Sequence, residues 1–332
     1  MPYVFGPVPS RRLGRSVGID PVRLKTCTWN CVYCQLGRTA PLTGERGDCS
    51  PAGQIVEEAR GLLEAQHPGA VDWVTFAGSG EPALHERLGW MIRQVKAVTQ
   101  IPVAVITNGS LLYLPGVREE VSAADAVLPS LDAGTEALYR AINRPHPRFT
   151  LDRLVGGLIG FRRVYRGKLW IEVMLIKNLN DSEAALEALA AVLSRIQPDE
   201  GQISLPLRPP AEPWVEPAGQ EGLARAAAIL GAAARILPPI PEGVRLASSE
   251  DVVGAVVAVI SRHPMEEEDL LRALERWRPG DVCKVLGRLG ASGRAQGVFR
   301  ERVTEEAAEP RTFIGGRPWP ESPSFIASGS RT

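Results

Sequence analysis

Pro102-Val103-Ala104-Val105-Ile106-Thr107 is apolar at every interior position and runs straight into Asn108-Gly109-Ser110. A strand with one wet face alternates apolar and polar residues; an unbroken apolar strand has to be covered on both faces, as in a parallel sheet flanked by helices. Working outward, comparable short runs occur at residues 16–20, 71–77, 126–131, 169–177 and 202–207. Between them the apolar residues fall at helical spacing near 52–66, 84–97, 115–122, 134–142, 150–164 and 182–196, the last preceded by Asp181-Ser182 as a helix cap. Six βα units in series predict an α/β protein with a partial (βα)6 TIM-like barrel built by right-handed crossovers; a doubly wound open sheet is the competing architecture.

Beyond residue 207 the pattern changes. The run Arg208-Pro209-Pro210-Ala211-Glu212-Pro213-Trp214-Val215-Glu216-Pro217 is too rich in proline for a helix or a central strand and is expected to cross the barrel mouth or edge as extended chain. A capping helix is expected over 219–236, completing a barrel domain of residues 1–236 with its core at 10–210. Three short apolar-periodic segments and a terminal ribbon over 247–305 predict a small C-terminal winged-helix-like domain. The Pro-, Gly- and Ser-rich tail 306–332 is expected to be disordered.

Composition excludes several classes. The 332 residues are 44% hydrophobic and 23% charged with a formal net charge of zero, so no overall field draws the chain to nucleic acid or acidic lipid. No stretch approaches the roughly 18 apolar residues that span a bilayer. Charge is nevertheless uneven: residues 1–48 carry seven Lys/Arg (Arg11, Arg12, Arg15, Arg23, Lys25, Arg38 and Arg46) against Asp20, Glu45 and Asp48, a local excess that favours an anionic partner.

That basic segment surrounds Cys27-Thr28-Trp29-Asn30-Cys31-Val32-Tyr33-Cys34. Three thiols in a C-x3-C-x2-C run can hold three corners of an iron–sulfur cube, where an ordinary [4Fe–4S] cluster takes four cysteines, so one iron stays open for another ligand. A closed zinc site using Cys49 or a histidine as fourth ligand is the structural alternative. Cys49 and Cys283 are isolated, which leaves no second cluster motif, and the thiol set suits the reducing cytoplasm.

This spacing, with an aromatic residue before the third cysteine, resembles the signature of the radical S-adenosylmethionine (radical SAM) superfamily. Pro9-Ser10-Arg11-Arg12-Leu13-Gly14 and the cysteine phrase together resemble a subgroup of iron–sulfur oxidoreductases loosely related to wyosine-base tRNA synthases. The resemblance implies a [4Fe–4S] cluster on Cys27, Cys31 and Cys34 whose open iron binds SAM. It implies reductive cleavage of SAM to a 5′-deoxyadenosyl radical that abstracts hydrogen from substrate, with reduced flavodoxin or ferredoxin as donor. Tyr33 would lie near the adenine. Gly78-Ser79-Gly80-Glu81 is similar to the family's Gly-Gly-Glu element, which binds the methionyl amine, although Ser79 interrupts the glycine pair.

At the following strand ends Asn108, Ser130 and Asp132 are candidate SAM contacts, or else caps and turn residues. Lys177 and Arg208 are candidates for a substrate or SAM carboxylate, or for an interstrand ion pair. The substrate could be RNA, a protein or peptide, or a small molecule; a wyosine-synthase-like tRNA modification is one alternative. RNA is disfavoured by the nine Lys/Arg and ten Asp/Glu of residues 247–305. An iron–sulfur redox sensor that reads DNA is the reading from another class, and it leaves the six βα units without a role.

Overall fold

A computed structural model describes residues 2–231 and 234–237, together with part of 253–316. The expected strands are present as β2 (Gly14–Ile19), β3 (Trp73–Phe76), β4 (Val103–Thr107), β5 (Ala126–Pro129), β6 (Lys168–Met174) and β7 (Glu200–Ser204). Two more extend the sheet. β1 (Val4–Ser10) pairs antiparallel with β2, and β8 (Ala234–Ile236) pairs parallel with β7. The sheet order is β1-β2-β3-β4-β5-β6-β7-β8 without reversal, the winding of an unclosed barrel and not of a doubly wound sheet, whose order would turn back on itself.

Helices α1 (Ala52–Glu64), α2 (Leu88–Val98), α3 (Pro115–Val121), α4 (Glu136–Asn143), α5 (Leu151–Val164) and α6 (Glu183–Ile196) alternate with the strands. Thr135, Thr150 and Ser182 cap α4, α5 and α6, each hydroxyl accepting from a backbone N–H three residues on. Along β6 the period of two is plain: Leu169, Ile171 and Val173 join the large core beneath the helices, while Trp170 faces inward. The inner face is filled by the β1–β2 turn, whose Leu13 packs among Ala104, Ala126 and Leu128.

Three expectations are corrected. The helix expected over 219–236 is α7 (Gln220–Leu230); it stops because Gly231 adopts φ 66°, and Ala234–Ile236 then returns to the sheet as β8. The six-stranded core is an eight-stranded sheet. β1 escaped notice because Pro7 and Pro9 break its pattern, and an antiparallel edge strand tolerates both.

Within the tail expected to lack structure, β11 (Ala308–Gly316) pairs with β10 (Ala295–Val303) and with β9 (Met265–Glu266). Thr312, Phe313 and Ile314 supply β-formers inside a run dominated otherwise by Pro and Gly. Of the expected winged helix, α8 (Val282–Ala291) and this ribbon are described, while much of the first two helices lies outside the described residues. Val256, Val257, Ile260, Leu270, Leu274, Val285 and Leu289 bury themselves against Phe5 and Val8 of β1.

Candidate active site

The cysteine loop leaves the C-terminal end of β2, where barrel folds gather functional groups. It docks on the C-terminus of α4, which ends as Arg144 turns left-handed at φ 44°. The last carbonyls of a helix lack intrahelical partners. Two of them accept from the loop: Val32 N–H donates to Ile142 O (2.9 Å) and Asn30 N–H to Asn143 O (3.0 Å). Trp29, fully buried, meets the edge of Tyr139 at 5.4 Å.

The proline-rich crossing latches the other side. Glu212 N–H donates to Val32 O (3.0 Å), and the Glu212 carboxylate binds both Arg38 and Arg144. Burial alone would raise that carboxyl, but the two guanidiniums overrule it and hold it below its ordinary value.

Around the sulfurs lies a shell of amides and buried acids. Asn108 Nδ2 donates to Thr28 Oγ1 (2.6 Å) and reaches Cys27 Sγ at 3.6 Å; Thr28 Oγ1 in turn meets Ser110 Oγ at 2.7 Å. Asn143 Nδ2 reaches Cys31 Sγ at 3.7 Å and donates to Asp132 Oδ2 (2.6 Å). Tyr33 Oη donates to the same Oδ2 (2.6 Å), and Met174 N–H to Oδ1 (2.8 Å). Asp132 is thereby engaged on both oxygens and only 1% exposed, so its carboxylate positions Tyr33 and Asn143.

Glu81, also 1% exposed, accepts from Ala83 N–H (2.9 Å), Thr107 Oγ1 (2.6 Å) and Asn108 N–H (2.6 Å). Burial raises its pKa against the pull of these donors. The glycines before it are spatially required. A Cβ on Gly80 would run into the Thr26 carbonyl, and one on Gly78 (φ 149°) into the Asp20 carboxylate that holds Ser79. Glu81 N–H donates to Thr26 O (3.0 Å), which joins this turn to the base of the cysteine loop.

The thiols are electrostatically uncomfortable. Burial, then Glu81 and with it Cys34, pushes Cys27 up to about 12. Burial, then Cys27, Asp132 and Cys34, raises Cys31 well above the ordinary thiol range. Burial raises Cys34, offset in part by the Leu36 N–H and Lys25. Three soft donors that oppose one another's ionisation fit a positively charged iron–sulfur core, which supplies the compensating charge. Among the described residues no three His, Cys, Asp or Glu side chains converge on a single ion, and Cys49 turns away to Gly47 O.

The structure thus builds two bonded networks at the loop, Cys27 with Asn108 and Glu81, and Cys31 with Asn143, Asp132 and Tyr33; Cys34 joins the second through its N–H to Cys31 O (3.2 Å). Ser130 is less central: its N–H donates to Thr107 O and it bridges to Glu172. Arg208 donates to Gln35 (2.8 Å), one residue past Cys34. Lys177 stands apart in an exposed ion pair with Glu216, the two side chains 49% and 55% accessible. Sequence reasoning gave no role to Thr28 or Asp20, whose partners Asn108, Ser110 and Ser79 lie far along the chain.

The sequence profile of the radical SAM superfamily matches residues 22–189. The UPF0026 protein MJ1312 of Methanocaldococcus jannaschii is 35% identical over 283 residues, covering 83% of this chain and 87% of that protein. A Brachyspira hyodysenteriae protein named GTPase Obg is 43% identical over 201 residues, 60% of this chain; the chain spans 29% of that protein's length. The solved structure of TYW1 with a lysine-pyruvate adduct has a TM-score of 0.48 at 18% identity, covering 68% of this chain and 75% of that one. The chain belongs to the radical SAM superfamily and, within it, to the UPF0026 family. It is an enzyme of the class that works with a [4Fe–4S] cluster and SAM.

Proposed function

We propose that Cys27, Cys31 and Cys34 hold the [4Fe–4S] cluster, and that SAM binds between this loop and the ends of β3, β4 and β5. When bound, cluster and SAM together supply an organic radical that takes hydrogen from the substrate. The observation that carries the assignment is the pair of side-chain amides, Asn108 at the end of β4 and Asn143 at the end of α4, aimed at two sulfurs of one loop. Amide donors toward sulfur stabilise thiolate and tune a cluster's potential.

The chain's own groups do the positioning. Tyr33, held by Asp132, presents a ring beside the loop for the adenine. Glu81 is the carboxylate for the methionyl ammonium, with Gly78 and Gly80 letting backbone approach closely and Asn108 linking it to Cys27. Ser130 lies at the same rim. The Glu212 latch keeps the proline-rich crossing over the loop and restricts water. A flavodoxin or ferredoxin is the electron donor in this reading. The segment after residue 250 serves as a covering module on β1, supported by the apolar faces buried against Phe5 and Val8.

Anaerobically reconstituted protein given SAM and dithionite should release 5′-deoxyadenosine and methionine, quantified by mass spectrometry. A fully iron-loaded protein that leaves SAM intact would count against the reading.

A further inference from the structure

The β1–β2 turn carries more charge into the barrel than its surroundings balance. Leu13 plugs the inner face, and the two arginines before it reach across the lumen to the opposite strands. Arg11 Nη2 donates to Ser204 Oγ (2.8 Å), a neutral partner at the end of β7. Arg12 pairs with Glu172 of β6, yet its Nε is buried without a hydrogen-bond partner, as is Oε1 of the neighbouring Gln202. Glu172 and Gln202 face one another across the β6–β7 ladder.

Arg208 approaches from the proline-rich crossing and donates to Gln35, just past Cys34. Burial, then the charges of Arg11 and Arg208, pulls Arg12 down to about 9, so it is still a cation at neutral pH, crowded by two others. Arg11 and Arg12 enter the barrel with one carboxylate, Glu172, which pairs with Arg12 alone, and a buried charge excess of that kind is costly unless another anion joins it. The planar forks of the arginines suit an oxyanion. The cluster adjoins Tyr33 and Gln35, so a group bound here would sit on the substrate side of the thiol loop.

Resting on the assignment of that loop made above, we propose that Arg11, Arg12 and Arg208 form a subsite for an oxyanion group of the substrate, a carboxylate or a phosphate, inside the barrel. Glu172 occupies part of the subsite in its absence and competes with the incoming anion for Arg12. The expected substrate is therefore a molecule with an acidic group set back from the carbon that loses hydrogen.

The test is calorimetric titration of anaerobic holoenzyme with inorganic phosphate and, in a second arm, malonate, with and without saturating SAM. Saturable binding of one of these that SAM does not displace is the expected result, and the arm that binds names the oxyanion. Arg12→Gln should weaken that binding at least about tenfold, the loss of one charge-assisted bond. Glu172→Gln removes the internal competitor and should tighten it severalfold, an outcome that a merely structural ion pair does not produce. Absent or non-saturable binding in the wild type, or tightness unchanged in both variants, would overturn the subsite. Displacement by SAM would overturn it too, by assigning the arginines to the SAM carboxylate. Release of 5′-deoxyadenosine is scored separately. A protein that cleaves SAM but ignores both anions loses only the subsite, whereas one that binds an anion but never cleaves SAM loses only the loop assignment.

Discussion

The two halves of the barrel interior are built differently. Toward β4 and β5 the inner face is small and apolar, Ala104, Ala126 and Leu128 beneath Leu13, and the acids above it, Glu81 and Asp132, have their oxygens engaged. Toward β6 and β7 the inner face is polar, with Glu172, Gln202 and Ser204 under Arg11 and Arg12, and buried polar atoms there remain without partners. In the first half both acids are satisfied before any ligand arrives, with Asn143 Oδ1 left open beside them; the second half holds unbalanced charge. A site whose cofactor chemistry is common to a superfamily can afford a rigid cofactor half, and specificity then falls to the other.

Substitutions can break that contrast, beginning with the most severe. Cys31→Ala should abolish both iron loading and SAM cleavage, read as iron content and product yield, because two thiolates cannot hold three corners of the cluster. Trp29→Ala should cost about 3–5 kcal/mol in chemical denaturation, since it empties the fully buried anchor between the loop and Tyr139. Asn143→Leu should cost about 1–3 kcal/mol and shift the midpoint potential of the cluster, because it strips a donor from both Cys31 and the buried Asp132. Lys177→Ala should change stability by no more than about 1 kcal/mol and leave SAM cleavage as in the wild type, the expected behaviour of an exposed ion pair.

Legibility in the sequence followed how locally each feature is encoded. The parallel strands announced themselves because burial on both faces demands unbroken apolar runs such as Val103–Thr107. The cysteines were legible because one loop carries all three. Asn143 belongs to no motif of the cysteine loop; its aim at Cys31, 112 residues away in sequence, depends on where α4 ends. Asp132 read as a ligand contact from its place at a strand end; its hydrogen bonds to Tyr33, Asn143 and Met174 come from tertiary packing that no local pattern announces. Lys177 read as a cation near the rim or one half of an ion pair; the structure makes the pair, with Glu216, because β6 ends at Met174 and the side chain stands half-exposed.

The central claim is a cluster held at three corners with the fourth open to SAM. Electron paramagnetic resonance of the dithionite-reduced holoprotein tests it most directly, recorded before and after SAM is added. A reduced [4Fe–4S] signal whose g-values move on addition of SAM is predicted. A cluster signal that SAM leaves untouched, at concentrations where SAM is shown to be present and intact, would contradict it.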